Sequence, residues 1–188
     1  MVAPDFSFRS KRIALDFAAT LMFRVSNGPP TELLDSADRL AEWVREADVL
    51  SAPPLVRADE LPAALSLREA IYRTATARIA GTGGAPDDIA LLNRFARRSP
   101  PTLTLTADRA IIRAGSIESV LAALARDAVE LLGGPDASRL RQCARHGCTR
   151  MFVDRSRGQN RTWCGMRQCG NRVNAAAYRR RRRTETPH

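Results

Sequence analysis

Cys143-Ala144-Arg145-His146-Gly147-Cys148 and Cys164-Gly165-Met166-Arg167-Gln168-Cys169 are the two stretches on which the reading of this chain turns. Each sets two cysteines with four residues between them, fifteen residues separate the pairs, and no other cysteine occurs among the 188 residues. Zinc takes four ligands at tetrahedral corners and binds soft thiolates well. Two short-range pairs, joined by a loop long enough for a hairpin, can therefore wrap one ion. In a reducing compartment such a cluster is a metal site more often than a pair of disulfides. The spacing predicts one structural Zn2+ held by Cys143, Cys148, Cys164 and Cys169. His146 lies inside the first pair, but four thiolates already close the shell, and a closed shell has no position for a metal-bound water. Met151, Phe152, Val153 and Trp163 are the main large apolar residues of the module. Metal binding is thus expected to supply much of its folding free energy, on the order of 10 kcal/mol.

Beyond Cys169 the chain runs through Asn174-Ala175-Ala176-Ala177-Tyr178 into Arg179 to Arg183. Alanines favour helix, and ligation would fix its N-terminal end. Arg172, Arg179 and Arg183 share a helical face, with Arg180 close to it. Residues 139–188 hold 14 arginines against Asp154 and Glu185, a net of +12, whereas residues 1–138 hold 16 basic and 18 acidic groups. Basicity confined to one module is the footprint of a nucleic-acid reader. Arg172, Arg179, Arg180 and Arg183 are expected to meet phosphates and base edges, and Arg155, Arg157, Arg161 and Arg167 to add backbone contacts. Arg157 and Arg172 have another use open to them, pairing with Asp154 or bonding carbonyls around the zinc site. An arginine run can also be no more than a solvated tail. DNA is the first expected partner. RNA is the second, because only Phe152, Trp163 and Tyr178 could stack on bases and the first two read as core.

Upstream the pattern is mostly helical. Ile13 to Phe23 suits a short helix or buried segment, ended by Asn27-Gly28-Pro29-Pro30. Leu34 to Ala47 repeats apolar residues on one face, with Asp35 or Ser36 available as cap. A longer helix carries Leu61, Leu65, Arg68, Tyr72, Ala75 and Ile79 and stops at Gly81. Pro86, Asp87 and Asp88 open another through Phe95. Thr102–Thr106 and Ala110–Arg113 read as a hairpin. Ser116 is expected to cap a helix with a broad apolar stripe, from Val120 to Leu132, which Gly133-Gly134-Pro135 stops. Composition and charge both change there, which places a domain boundary.

Cys169-Gly170-Asn171-Arg172 is the signature of the CGNR zinc finger family, and the segments Met151–Arg157 and Arg161–Cys164 resemble that family too. Leu15-Asp16-Phe17-Ala18-Ala19-Thr20 and Leu67-Arg68-Glu69-Ala70 resemble the ABATE-type domain commonly attached to this finger, although Ala19 stands where the family usually has asparagine. The resemblance implies a bacterial, stress-responsive transcription regulator with a finger proposed to bind DNA, and no established catalytic residues. The expected fold class is mainly α with a small β element. A helical domain, a candidate ligand sensor by its architecture alone, would fill residues 1–135, and a treble-clef-like zinc finger residues 136–188.

A near-neutral helical domain joined to a basic reader suggests control by a small-molecule effector. Asp16, Arg68 and Tyr72, polar or amphipathic in apolar segments, are candidates to line its pocket; ordinary surface positions or a buried ion pair are the more common explanation of such residues. An enzyme is not expected, since no phosphate-binding glycine loop, His-Glu-x-x-His or Gly-x-Ser-x-Gly occurs. No signal peptide and no apolar run of membrane-spanning length is present, so a cytoplasmic protein with no membrane partner is expected. One finger presents a small interface, which makes a homodimer or a second contact surface the expected route to specificity.

Overall fold

The computed structural model describes residues 6–26 and 28–184. Within the last helix the side chains of Ala177, Arg180, Arg181, Arg183 and Thr184 lie outside that description, and with them two of the arginines expected at the nucleic-acid face.

The chain opens with α1 (Ile13–Ala18), then β1 (Leu21–Met22) paired antiparallel with β2 (Thr31–Glu32). α2 (Ala37–Glu46) begins where Ser36 accepts a hydrogen bond from the Arg39 amide at 3.2 Å, the ordinary Ser cap. α3 (Leu61–Ala80) ends at Gly81, whose φ of 72° is the left-handed stop that glycine accepts without strain. α4 (Pro86–Ala96) starts on its proline, where the missing N–H costs nothing. β3 (Thr102–Leu105) and β4 (Ile111–Ala114) form the expected hairpin, and α5 (Ile117–Gly133) follows. Ser116 holds the N-cap position of α5 without a side-chain cap bond; its carbonyl accepts from the Ser119 hydroxyl and the Val120 amide.

α1 to α5 enclose the main core. Trp43 of α2 is fully buried with its ring 5.0 Å from Phe17 of α1, among Leu40, Leu67, Ile71, Leu92, Val120 and Leu124. Each such side chain contributes roughly 1.5–3 kcal/mol by leaving water. The β3–β4 hairpin stays outside this core, with Leu103 and Leu105 more than two-thirds exposed.

A 3-10 turn (Pro135–Arg139) leads into β5 (Leu140–Gln142), which pairs antiparallel with β6 (Met151–Val153). The turn of this hairpin is itself the first cysteine knuckle, where the loop between the cysteine pairs was the expected place for a hairpin. One turn of π-helix (Met166–Gly170) then runs into α6 (Asn171–Thr184).

Strand alternation decides how the finger sits. Phe152 points to the cysteines, whereas Met151 and Val153, one residue either side, point the other way. There they join Leu140 in a second buried cluster with Leu15 of α1, Ala75 of α3 and Leu131 of α5. The Val153 amide donates to the Ser10 carbonyl at 2.9 Å, and Asp136 bridges Arg12 at 3.7 Å and Arg155 at 2.6 Å. The Gly-Gly-Pro segment is therefore no free tether: the finger's hairpin is packed into the helical domain. No helix among the described residues is long and apolar enough to cross a membrane.

Candidate metal centre and nucleic-acid interface

The β5–β6 knuckle presents Cys143 and Cys148, the π-turn presents Cys169, and Cys164 stands two residues before that turn. The Cys148 amide donates to the Arg145 carbonyl and the Cys143 amide to the Arg150 carbonyl, both at 2.9 Å, which curls the backbone so that both thiols face inward. Gly147, at φ 74°, takes the left-handed step of this curl. All four cysteines are buried, and their sulfurs lie within 4.8 Å of one another. Cys164–Cys169, Cys169–Cys148 and Cys148–Cys164 are 3.4, 3.8 and 3.9 Å apart. Bonds of about 2.3 Å to a tetrahedral zinc set sulfurs about 3.8 Å apart, so the four-thiol cluster fits one structural Zn2+.

Thiols packed this closely do not ionise independently. Hydrogen bonds from Cys148 and Cys164 pull Cys143 far below the usual thiol range. The bond to Cys143 pushes Cys148 up to about 11, and bonds to Cys143 and Cys148 push Cys164 higher still. A divalent cation removes that conflict by taking the place of the protons. The resulting tetrathiolate centre carries two negative charges, and the Arg145 guanidinium donates to Cys169 Sγ at 3.7 Å.

Asp154 organises the loop between the pairs. Fully buried, it accepts from the Ser156 hydroxyl and amide and from the Arg161 amide, bonds that hold its carboxyl below the usual range. Neither Arg157 nor Arg172 pairs with it among the described residues. Arg161 lies over the Phe152 ring at 4.1 Å and donates to the Trp163 and Cys164 carbonyls at 3.0 and 2.6 Å. It braces the knuckle from behind, and Arg155 is held by Asp136. Gly170 allows the Trp163 ring to close over the site, since a Cβ there would come 3.1 Å from Trp163 Cδ1. Asn171 is exposed and its side chain makes no hydrogen bond among the described residues.

Arg157, Arg167, Arg172 and Arg179 are exposed. The structure adds two cations that the sequence reading left out. Arg145 and Arg150 line a concave seam of about 150 Å3 between the finger and the β1 segment, together with Arg172, Gln168, Met22 and Phe23. Among the described residues no carboxylate lines it. Arg150 donates to the Gln168 amide oxygen and the Met22 thioether, both at 3.2 Å, its charge also acts on buried Asp16, and Arg145 lies 5.8 Å from the Phe23 ring. Phe23 itself holds φ at 60°, a costly conformation for a bulky residue. Nothing in the spacing of Arg145 or Arg150 sets them apart from other arginines; only the folded knuckle turns them to one side.

Asp16, Arg68 and Tyr72 are not gathered into one cavity. Asp16 is buried behind the knuckle, accepting from the Arg9 and Ser10 amides at 3.0 Å each. Arg68, 3% exposed, forks onto Glu32 at 2.6 and 2.8 Å and reaches Glu69 at 2.8 Å. Glu69 also takes Arg24, whose guanidinium stacks on Tyr72 at 4.0 Å. Burial pushes Glu32 and Glu69 up, but the arginines more than offset it and both carboxyls end below their usual range. This network ties β2 and the turn after β1 to α3.

Comparison with curated proteins gives no match. The CGNR zinc finger family matches residues 139–182, over all four cysteines, the knuckle hairpin and most of α6. The family described as "ABATE: Putative stress-induced transcription regulator" matches residues 11–135, from α1 to the end of α5. With the greater part of its length matched by the one and its metal centre by the other, the chain belongs to the ABATE family and carries a CGNR zinc finger.

Proposed function

We propose that this protein is a zinc-dependent DNA reader that regulates transcription in the bacterial cytoplasm. The observation that carries the reading is α6, a 14-residue helix without one acidic residue, whose N-terminal end is anchored to the cysteine cluster. Arg172 and Arg179 lie seven residues apart on one face, and both are exposed. A helix of this kind can lie along the major groove, neutralising phosphates and bringing one or two guanidiniums to guanine edges. The Arg145–Arg150–Arg172 seam then suits a phosphate of the flanking backbone, and exposed Arg157 and Arg167 suit its neighbours. Arg161 and Arg155 are occupied elsewhere and are left out of the interface.

Duplex DNA is favoured over single-stranded RNA by the aromatics. Phe152 is buried and Trp163 packs on the cysteine cluster, which leaves Tyr178, 56% exposed, as the one candidate of the three for stacking. Binding of zinc-loaded and chelated protein to duplex DNA and to structured RNA, by fluorescence anisotropy over a range of salt, tests the reading. The zinc form is expected to bind duplex DNA with a steep salt dependence, and the chelated form not to bind. The double variant Arg172→Gln/Arg179→Gln is expected to reduce the log–log salt slope by about two, at roughly 0.9 per phosphate contact. Binding indifferent to zinc, or a preference for RNA, would overturn it.

A further inference from the structure

An open cleft of about 300 Å3 lies between α3, α4 and α5. Its walls are apolar, formed by Ile89, Leu92, Val129 and Leu132. Gly84 keeps the floor open, because a Cβ there would come 3.1 Å from Thr74 Cγ2 and 3.4 Å from Ile89 Cδ1.

Two polar groups on this cavity lack the partners their neighbours have. Thr74 is 9% exposed, and its buried hydroxyl has no hydrogen-bond partner among the described residues. Two positions on, Thr76 makes the usual helical bond to the carbonyl four residues back, at 2.8 Å. Threonine in a helix divides between two χ1 wells, and a turn about χ1 carries the Thr74 hydroxyl to the side its methyl now occupies, facing the cavity floor. Arg78, one helical turn further along α3, is exposed at the mouth and has no ion-pair or hydrogen-bond partner among the described residues. Arg73, by contrast, is held by both oxygens of Asp88 at 2.6 and 2.8 Å. Among the described residues no carboxylate lines the cleft.

We propose that this cavity binds a small organic acid. The apolar body would lie against Ile89, Leu92, Val129 and Leu132, and the carboxylate would accept from Thr74 and Arg78. An apolar pocket with a few convergent polar groups is the usual form of such sites, and the unpaired cation selects the charge of the guest. The consequence for the finger rests on the DNA reading: Leu132 also packs against the cluster that holds the finger's hairpin, so an occupant bears on that joint.

The test is isothermal titration of the zinc-loaded full chain with hexanoate and benzoate, with hexanol as the uncharged counterpart. At least one acid is expected to bind saturably, one per chain, and about tenfold more tightly than hexanol. Thr74→Val should weaken it about tenfold without lowering the thermal midpoint, because it removes a hydroxyl that has no partner. Arg78→Gln, at an exposed position, should weaken it similarly. Absence of saturable binding by either acid would overturn the proposal, as would unchanged binding in both variants or hexanol binding as tightly as the acids. No step involves DNA, so failure of the finger to bind DNA leaves this result standing.

Discussion

Asp16 shows what a single buried carboxylate does to the pH dependence of the whole. Burial raises its pKa to about 6, with the Ser10 and Arg9 amides and the nearby Arg150 charge offsetting only part of that rise. A native-state value above the unfolded 3.8 means that the folded protein holds the proton more tightly. The associated stability is complete below about pH 4 and is lost as pH rises through about 6, so at pH 7 the ionised group costs up to about 3 kcal/mol. Asp16→Asn keeps an oxygen for both amides and removes the charge. It is expected to equal or exceed the parent in stability at pH 7, with the difference vanishing towards pH 4. Urea unfolding of both proteins at a series of pH values measures this; metal loss in acid affects both alike and cancels in the difference. Asparagine destabilising at pH 7 would mean that the ionised form is used, with Arg150 as the cation whose charge acts on it. The sequence could mark Asp16 only as a polar residue in an apolar segment. That its oxygen serves two backbone amides depends on a turn with no side-chain signature.

At the scale of elements, α2, α3 and α5 were legible because each repeats its apolar residues often enough to define a face, α4 because Pro86, Asp87 and Asp88 mark its start, and α6 because its alanines favour helix. β1 and β2, at two residues each, are too short to carry any period. β6 could be suspected from Met151-Phe152-Val153, but not which side faced what, because three apolar residues in a row show no alternation. The structure divides them, and the division is measurable. Phe152→Ala removes the ring under Arg161 and against the cysteines, and is expected to weaken zinc retention by about tenfold or more. Met151→Ala opens the cluster shared with α1, α3 and α5. It should cost about 2–5 kcal/mol of unfolding free energy with zinc affinity changed far less. Competition with a chelator reads the first and urea unfolding the second. Equal effects of both variants on both readouts would mean that the strand does not separate the two roles.

For the molecule as a whole, charge and cysteine spacing located the finger, but not its attachment. Gly133-Gly134-Pro135 reads as a linker, and a cysteine-rich module with few large apolar residues reads as self-contained. What joins the halves is a cluster of residues far apart in sequence, Leu15 and Val153 among them, and no local pattern announces it. The two tryptophans offer a direct test, since Trp43 lies in the helical core and Trp163 on the metal centre. In a Trp163→Phe protein, Trp43 reports the helical domain alone. The main core contains no finger residue, so chelation should leave Trp43 buried and the domain folded. Loss of the finger's structure would nevertheless withdraw Leu140, Met151 and Val153 from the second cluster, each worth roughly 1.5–3 kcal/mol when buried. Part of that stabilisation is lost with the metal, and at about 2–4 °C per kcal/mol the Trp43 thermal midpoint should fall by about 5–10 °C. An unchanged midpoint would return the finger to the independent module that its linker composition suggests. Complete loss of the Trp43 transition would make metal and core one cooperative unit. The intermediate result is the one expected of a finger that is folded by zinc yet seated on the helical domain, the arrangement through which an event in the α3–α4–α5 cavity can reach α6.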